Sequence, residues 1–370
     1  MSESDSVPGP PAMERRVGVL GACRVVRAGC SEWDVEVEGR AARAVAYTGL
    51  VPALQPGDRV LLNTTALALS LGTGGVHFVI ARLEGEPGAG SFPGREAGHL
   101  LKLRYTPLQM RVCSVEEEVS PHRQALERFT GLERMPVLAA ELHSQAAAAV
   151  LAARWAVPGL RVALLQLDTA ALPFGFSRLA ARLRSDGHLC ASVTVGQGFG
   201  GDLEAVNVYS GLAAAKAAAD AELVVVSQGP GNAGTGTEYG FSGLGLAEAL
   251  HACDTLGGAA LLLPRLSMAD PRPRHQGLSH HTRTLLRCLR VPVRVPVPAG
   301  LEPALARELA AWHCVETDAA PAMAALEPYR AELRTMGRTL EQDELFFRAA
   351  AAAGVFAARE ARTVGKGDAR

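Results

Sequence analysis

One pattern occurs twice in succession in the sequence: Val193-Thr-Val-Gly-Gln-Gly-Phe-Gly200 and Val224-Val-Val-Ser-Gln-Gly-Pro-Gly231. Each copy is an apolar, β-branched run followed by a glycine-rich segment, an acidic loop and an alanine-rich stretch. Such runs suit strands buried on both faces, as in parallel sheets. The glycines allow sharp turns, and the start of a helix after them presents free N–H groups to an anion. The two copies therefore predict tandem strand–loop–helix units with an anion-binding edge.

The alternation of strands and helices continues on both sides of this repeat. We expect a helix over residues 137–155, a strand over 162–167 and a further strand over 259–264. Strands separated by helices imply right-handed crossovers. We therefore predict an α/β domain at 99–300 with a doubly wound, mostly parallel, Rossmann-like sheet. Residues 301–370 are expected to form C-terminal helices outside this sheet and a tail.

The N-terminal part is rich in short strands and turn signals. Five or six short strands between residues 16 and 83 predict a small β-barrel, OB-like or SH3-like. We place this barrel and its linker at 14–98, after a disordered tail at 1–13. A nucleic-acid-binding barrel needs basic and aromatic side chains on one face, and aromatic residues are few here.

Composition is that of an ordinary globular protein, with 48% hydrophobic and 20% charged residues. The formal net charge of −1 gives no general attraction to nucleic acid or to an anionic membrane. No secretory signal or membrane span is expected. The seven cysteines form no C-x-x-C pair, which favours reduced thiols, a cytoplasmic location and no thiolate zinc site.

The spacing Gly229-x-Gly231-x-x-Gly234 matches a dinucleotide-binding loop, but its context argues against NAD or FAD. The next helix starts only near Ser242, Pro230 stiffens the turn, and the following strand lacks the ribose-binding acid. The loop can still bind a phosphate or carboxylate through N–H groups and hydroxyls. The alternative is a tight turn that packs a helix on a strand.

Amides and side chains of both loops, with two arginines from a later loop, form the predicted ligand-binding set. The set comprises Gln197, Gly198, Gly200, Gly201, Asn207, Gln228, Gly229, Gly231, Asn232, Thr235, Thr237, Arg272 and Arg274.

Four residues are predicted to be catalytic. Asp202 and Glu238 occupy matching positions after the two loops, where a carboxylate can act as a base or hold a divalent ion. His275 and His280 belong to the polar loop before the last predicted helix of the sheet and suit proton transfer. The alternatives are solvated acids and a structured surface loop.

A divalent metal ion is an open alternative, with Asp202, Asp270, His275 and His280 as candidate ligands. The adjacent His280 and His281 should point about 100° apart on a helix, so we do not expect them to bind one ion together. Glu141 and His143, two residues apart on the predicted helix at 137–155, should diverge as well.

Three segments together resemble the bacterial proteins grouped as the domain of unknown function 3866. These segments are Gly196-Gln-Gly-Phe-Gly-Gly-Asp-Leu-Glu-Ala-Val-Asn207, Gln228-Gly-Pro-Gly-Asn-Ala-Gly-Thr-Gly-Thr237 and Ser279-His-His-Thr282. The resemblance covers most of the chain, from the β-rich start to about Pro298. It implies a soluble bacterial protein, but it implies no activity.

The leading hypothesis is an enzyme, a hydrolase or transferase rather than an oxidoreductase, that acts on a small anionic metabolite. The glycine loops would bind the anion, Asp202 or Glu238 would be the base, and His275 or His280 the acid. Two alternatives stay open. One is a metabolite sensor without catalysis, and the other is a structural subunit whose barrel forms a homo-oligomer.

Overall fold

A computed structural model gives the structure and describes residues 12–69, 75–85, 88, 90 and 98–367. Contacts between Cα atoms divide the chain into two compact units, Met1–Pro93 and Gly94–Arg370. The disordered tail predicted at 1–13 lies outside the described residues, apart from residues 12 and 13.

The N-terminal unit is a closed five-stranded barrel, which confirms the predicted small β-barrel. Its elements are β1 (Arg15–Arg27), β2 (Cys30–Val37), β3 (Arg40–Tyr47), β4 (Arg59–Asn63), the short helix α1 (Thr65–Ala68) and β5 (His77–Arg82). The strand order is β1-β2-β3-β5-β4, and β4 pairs back with β1. Alternate strand residues point inward and form the barrel core, as Trp33, Val35 and Leu62 do.

The second unit begins with a hairpin and a short helix and continues as a six-stranded sheet. The hairpin and helix are β6 (Leu100–Lys102), β7 (Met110–Val112) and α2 (Arg123–Glu127). The sheet strands are β8 (Pro136–Ala140), β9 (Val162–Gln166), β10 (Ala191–Thr194), β11 (Leu203–Glu204), β12 (Leu223–Ser227) and β13 (Ala259–Leu263). All pairs are parallel, in the order β11-β10-β9-β12-β8-β13, which confirms the predicted parallel α/β sheet.

Helices cover both faces of this sheet. They are α3 (His143–Ala156), α4 (Arg178–Ser185), α5 (Val208–Ala217), α6 (Leu246–Thr255) and α7 (His280–Cys288). Their buried residues fall into two clusters: α3 and α4 pack on one face, and α5, α6 and α7 on the other. The helix after β8 therefore leaves the sheet on the opposite face from the helices after β12 and β13.

The C-terminal part completes the second unit. Its further elements are β14 (Leu266–Ser267), β15 (Gly277–Leu278), β16 (Val295–Pro298), α8 (Pro303–Leu309), β17 (Cys314–Thr317) and α9 (Glu344–Gly367). Short 3-10 turns occur at Phe174–Phe176, Ser242–Gly245, Pro273–His275 and Pro321–Tyr329. Helix α9 packs on the face that carries α3. In the part of the chain that the structure describes, no helix has both the length and the apolarity to cross a bilayer.

One element predicted from the sequence is wrong at its start. The helix expected over 137–155 is a strand at Pro136–Ala140, a two-residue connection and then α3 from His143. Ala139 and Ala140 favour a helix by local propensity, but β8 lies between β12 and β13 with its backbone paired on both sides. Tertiary pairing overrides the local preference here, and Glu141 consequently lies at a sheet edge.

Helices α3 and α9 approach each other closely at Gly354. A Cβ atom at this position would overlap the backbone carbonyl of Ala149 in α3. We expect Gly354→Ala to lower the free energy of unfolding by about 1–3 kcal/mol, since the helices must separate, despite the better helix propensity of alanine. Denaturant unfolding should show a lower midpoint, and Gly354→Ser a still lower one. Equal stability of Gly354→Ala and wild type would contradict the close packing.

Candidate functional site

The candidate site lies at the carboxyl end of β8. β8 is flanked by β12 and β13, whose helices leave the sheet on the opposite face from α3, so the connections diverge beside its end. Ligands of open α/β sheets bind at such switch points. Glu141 is the first residue after β8, and its side chain is only 6% exposed.

Glu141 accepts hydrogen bonds from three donors, which lie in the loops after β12 and β13 and in the first turn of α7. Its Oε1 accepts from Nδ1 of His281 at 2.5 Å, from Nδ2 of Asn232 at 2.6 Å and from Nη1 of Arg265 at 3.2 Å. Burial raises the pKa of Glu141, but the hydrogen bond from His281 and the charge of Arg265 outweigh it, and the pKa is lowered. Glu141 is therefore an ionised, buried carboxylate. Because it can only accept, the proton of His281 lies on Nδ1.

The ring of His281 is fixed on several sides. Ser279 caps α7 and accepts a hydrogen bond from the His281 backbone N–H at 3.2 Å. The imidazole stacks on the ring of Phe241, with centroids 4.0 Å apart and planes at 4°. Gly234, in the second glycine loop, lies against the other edge of the imidazole. The segment 234–241 therefore holds His281 toward Glu141.

Three imidazoles meet beside Glu141. The ring centroids of His275, His280 and His281 are 4.3–4.9 Å apart. The sequence argument that His280 and His281 diverge is wrong. They are the first two residues of α7, where no preceding helical turn restricts their rotamers, so both rings can turn to one side.

Two of these imidazoles are held neutral by their surroundings. Burial, together with the charges of Arg265 and Arg272, lowers the pKa of His275 to about 3. Burial and the neighbouring His281 and Arg274 lower the pKa of His280. At neutral pH both rings therefore offer lone pairs rather than positive charge.

A buried network of ion pairs lies next to the imidazole cluster and is joined to it through Arg265. Asp270 is fully buried and its Oδ2 receives guanidinium groups of Arg265 at 3.3 Å, Arg272 at 2.9 Å and Arg338 at 3.2 Å. Arg338 also pairs with Asp343 at 2.9 Å. Arg338 and Asp343, in the segment before α9, thus belong to this network. Asp270, a predicted metal ligand, is instead the acceptor of three arginines.

The second glycine loop covers the imidazoles and is exposed over residues 233–239. The hydroxyls of Thr235 and Thr237 lie 2.8 Å apart, and Gly236 packs near the guanidinium of Arg274. Arg274 is exposed and has no carboxylate partner among the residues that the structure describes. An unpaired cation beside neutral imidazoles is suited to an anionic group.

The first glycine loop follows β10, which is separated from β8 by the two strands β9 and β12, and its acids have other partners. Asp202 accepts hydrogen bonds from Ser192 and pairs with Arg184. The Gln197 backbone N–H donates to Asp168 at 2.9 Å. These acids hold the loop and the end of β10, and neither reaches the imidazole cluster.

The remaining predicted residues divide between the two regions. Gln228 donates from its side chain to the Glu141 carbonyl at 2.9 Å, and Gly229 and Gly231 turn the backbone with positive φ. Asn207 caps α5, far along the edge from β8. Glu238 forms an exposed pair with Arg287 at 2.7 Å and does not meet Asp202. The structure therefore assembles the second loop with the polar loop 267–281, but not with the first loop.

The sequence analysis does not name three central residues as candidate site residues: Glu141, Arg265 and His281. The sequence pattern does not reveal β8, and it therefore predicts that Glu141 lies within a helix. The signal available was Pro136 before an apolar run, since proline is tolerated at the first residue of a strand. Arg265 and His281 follow β13 and begin α7, and only the fold shows that both face Glu141.

A separate cavity lies on the other face of the sheet edge, between α3, α4 and the ends of β9 and β12. Its volume is about 320 Å³ including the open mouth, and most of its lining is apolar. His143 lines it, and burial lowers the pKa of this histidine to about 4. Glu141 and His143 therefore face different spaces.

Comparison with known families gives one match. A family model described as protein of unknown function (DUF3866) matches residues 43–354, which include every residue of the imidazole cluster and of its ion-pair network. No curated protein and no solved structure matches the chain significantly.

Proposed function

Because the chain belongs to the family described as protein of unknown function (DUF3866), which assigns no activity, we propose a function from the site itself. The imidazole cluster is the reaction centre of a hydrolase or transferase that acts on a small anionic metabolite. The observation that carries this proposal is the convergence of an ionised glutamate and three imidazoles beside the exposed Arg274, at the carboxyl end of β8.

The proton-transfer chemistry rests on the Glu141–His281 pair. Glu141 fixes the tautomer with the proton on Nδ1, so Nε2 of His281 has a lone pair. In the proposed hydrolysis a water molecule loses a proton to an imidazole nitrogen and its oxygen bonds the electrophilic atom of the substrate. The leaving group departs with the electron pair of the broken bond and takes up that proton. In a transferase, the hydroxyl of an acceptor replaces the water.

Recognition of the anion is assigned to Arg274 and the second glycine loop. Arg274 is exposed, lies near Gly236 and influences the pKa of His280, so it borders both the loop and the cluster. Ala233, Thr235 and Thr237 already donate their backbone N–H groups within the loop, so the N–H groups of Gly234 and Gly236 are those that can complete the contacts to phosphate or carboxylate oxygens. Asp202 and Glu238, the bases expected from the sequence, have no place in this proposal.

Arg274→Ala tests the assignment. Wild type and variant are screened with p-nitrophenyl phosphate, bis(p-nitrophenyl) phosphate, nucleoside phosphates and neutral p-nitrophenyl acetate, with and without added divalent ions. We expect turnover of an anionic substrate, and KM for it should rise about tenfold in Arg274→Ala, because one charge-assisted hydrogen bond is worth about 1.5 kcal/mol.

The matched control is Arg359→Ala, which removes another exposed arginine, on α9. It should leave KM unchanged, and KM for any neutral substrate should not respond to Arg274→Ala. Absence of turnover over the whole panel, or an equal change of KM in both variants, would refute the proposal.

A further inference from the structure

The three imidazoles have a geometry that proton transfer alone does not require. One ring nitrogen from each of His275, His280 and His281 lies within 4.8 Å of the others. Among the described residues this is the group of histidine, cysteine or carboxylate side chains close enough to hold a metal ion. One histidine suffices for proton transfer, so the convergence of three calls for another explanation.

The second nitrogen of two rings is held by a hydrogen bond. Nδ1 of His281 bonds to Glu141 at 2.5 Å, and Nδ1 of His275 lies 2.8 Å from the Ser279 hydroxyl. Metal-binding histidines are oriented in this way, since the partner of one nitrogen leaves the other free as a ligand. In both rings Nε2 is the nitrogen left for a metal.

The third ring has a buried nitrogen without a partner in the described part of the chain. Nε2 of His280 is inaccessible to water and makes no hydrogen bond there. A buried polar atom is almost always satisfied, so an unsatisfied one needs an explanation such as an ion.

We infer that His275, His280 and His281 bind one divalent transition-metal ion, zinc or a chemically similar ion, through Nε2. This inference rests on the proposed location of the reaction centre. Imidazole nitrogens favour zinc, copper or nickel over magnesium or calcium, which prefer oxygen. With bonds of about 2.0–2.1 Å, tetrahedral ligand atoms are about 3.4 Å apart, so binding draws the rings together by roughly an ångström.

Three protein ligands leave a fourth position for water or substrate, as catalytic zinc sites do. A bound zinc ion would supply a water molecule whose pKa is near neutrality, and with all three Nε2 atoms serving as ligands this ion would take the place of the imidazole in activating the water. The network beside the cluster balances its own charges, because Arg265, Arg272 and Arg338 are matched by Glu141, Asp270 and Asp343, and Arg274 adds one exposed positive charge. Arg265 lies near the cluster, but both terminal nitrogens of its guanidinium group are paired with carboxylates. Glu141 is then a positioning residue that orients His281.

The test measures binding directly, on the full chain stripped with EDTA and freed of chelator. Zinc is titrated in competition with a chromophoric chelator, and cobalt is added separately to record the visible spectrum of a tetrahedral nitrogen site. Wild type should bind one equivalent. Loss of a group that orients a metal-binding histidine costs about 10- to 100-fold in affinity, so Glu141→Gln should weaken zinc binding by that factor, and each His→Ala change by more.

The controls are His188→Ala and His251→Ala, which remove half-buried histidines elsewhere in the unit. They should bind zinc as wild type does. His280→Ala is the most informative variant, since His280 is the most exposed of the three and its loss disturbs the fold least. Thermal unfolding without metal verifies that each variant is folded.

The outcomes separate this inference from the proposed function. No stoichiometric binding by wild type, or equal affinity in His280→Ala and the controls, overturns the metal site. Turnover that survives EDTA in that case leaves the imidazole base as the reaction centre. Stoichiometric zinc binding without turnover on the whole substrate panel supports the metal site and refutes the enzyme.

Discussion

Glu141→Gln should lower kcat by about 10²- to 10⁴-fold, because loss of a carboxylate that fixes a histidine tautomer disables the imidazole. The glutamine amide can donate to Nδ1 of His281, which moves the ring proton to Nε2 and removes the lone pair that faces the cluster. Arg265 keeps Asp270 as a partner, so the protein should stay folded. Steady-state kinetics on the substrate identified in the screen measure the effect, with thermal unfolding alongside.

Glu32→Gln is the matched control for this variant. Glu32 is another buried glutamate with an arginine partner, Arg27 at 2.5 Å, but it lies in the barrel unit. Both changes remove one buried negative charge and leave a guanidinium with fewer contacts. We expect kcat of Glu32→Gln to match wild type. A fall of similar size in both variants would trace the loss to instability, and unchanged kcat in Glu141→Gln would remove Glu141 from the mechanism.

Much of the fold follows from patterns that depend on neighbours in the sequence. The β-branched run before Gly229 predicts β12, and the turn-rich N-terminal part predicts the barrel. These elements are recognisable because, within each short segment, the apolar pattern and the turn-forming residues indicate the same structure. β8 is not recognisable in this way, since Pro136–Ala140 ends in two alanines and runs on into an alanine-rich helix.

The order of the strands in the sheet determines which of the two glycine loops lies beside Glu141. Their sequences are nearly equivalent, and both follow strands that end at the same edge. β12 inserts between β8 and β9, which brings the second loop to Glu141, whereas the first loop follows β10, which is separated from β8 by β9 and β12. Order within a sheet depends on pairings distant in sequence, so the repeat itself carries no information on which copy meets the polar loop.

Local geometry explains why the histidines of the polar loop lie together, whereas the two acids Asp202 and Glu238 do not join them. Ser279 is recognisable as a helix cap, and a cap places the next residues at the start of a helix. The sequence names His275 and His280 as candidate site residues, and the structure brings their rings together. Asp202 and Glu238 look equally polar in the sequence, but each faces an arginine that only the fold reveals, Arg184 and Arg287.

Asp270→Asn is expected to cause the largest loss of stability of any single change at the site. Its carboxylate is fully buried and serves three arginines, of which Arg272 has no other carboxylate partner among the described residues. Removing one partner from a buried charged network costs about 3–5 kcal/mol, and here three guanidinium groups lose the acceptor that they share. For a unit of this size the melting temperature should fall by roughly 10 °C. Differential scanning calorimetry measures it.

The pH dependence distinguishes lost charge from altered packing. Burial raises the pKa of Asp270, but hydrogen bonds and charge from Arg272 outweigh it, so the pKa lies well below the unfolded value of about 3.9. A lowered folded pKa stabilises the protein above the unfolded pKa, and this contribution is lost as pH falls toward the folded pKa. The stability difference between wild type and Asp270→Asn should therefore be full at pH 7 and narrow below about pH 4. Asp186→Asn, which removes an exposed partner of Arg182, should have a far smaller effect at every pH. A difference for Asp270→Asn that stays constant from pH 7 to pH 3 would show that shape, rather than the buried carboxylate charge, holds this network together.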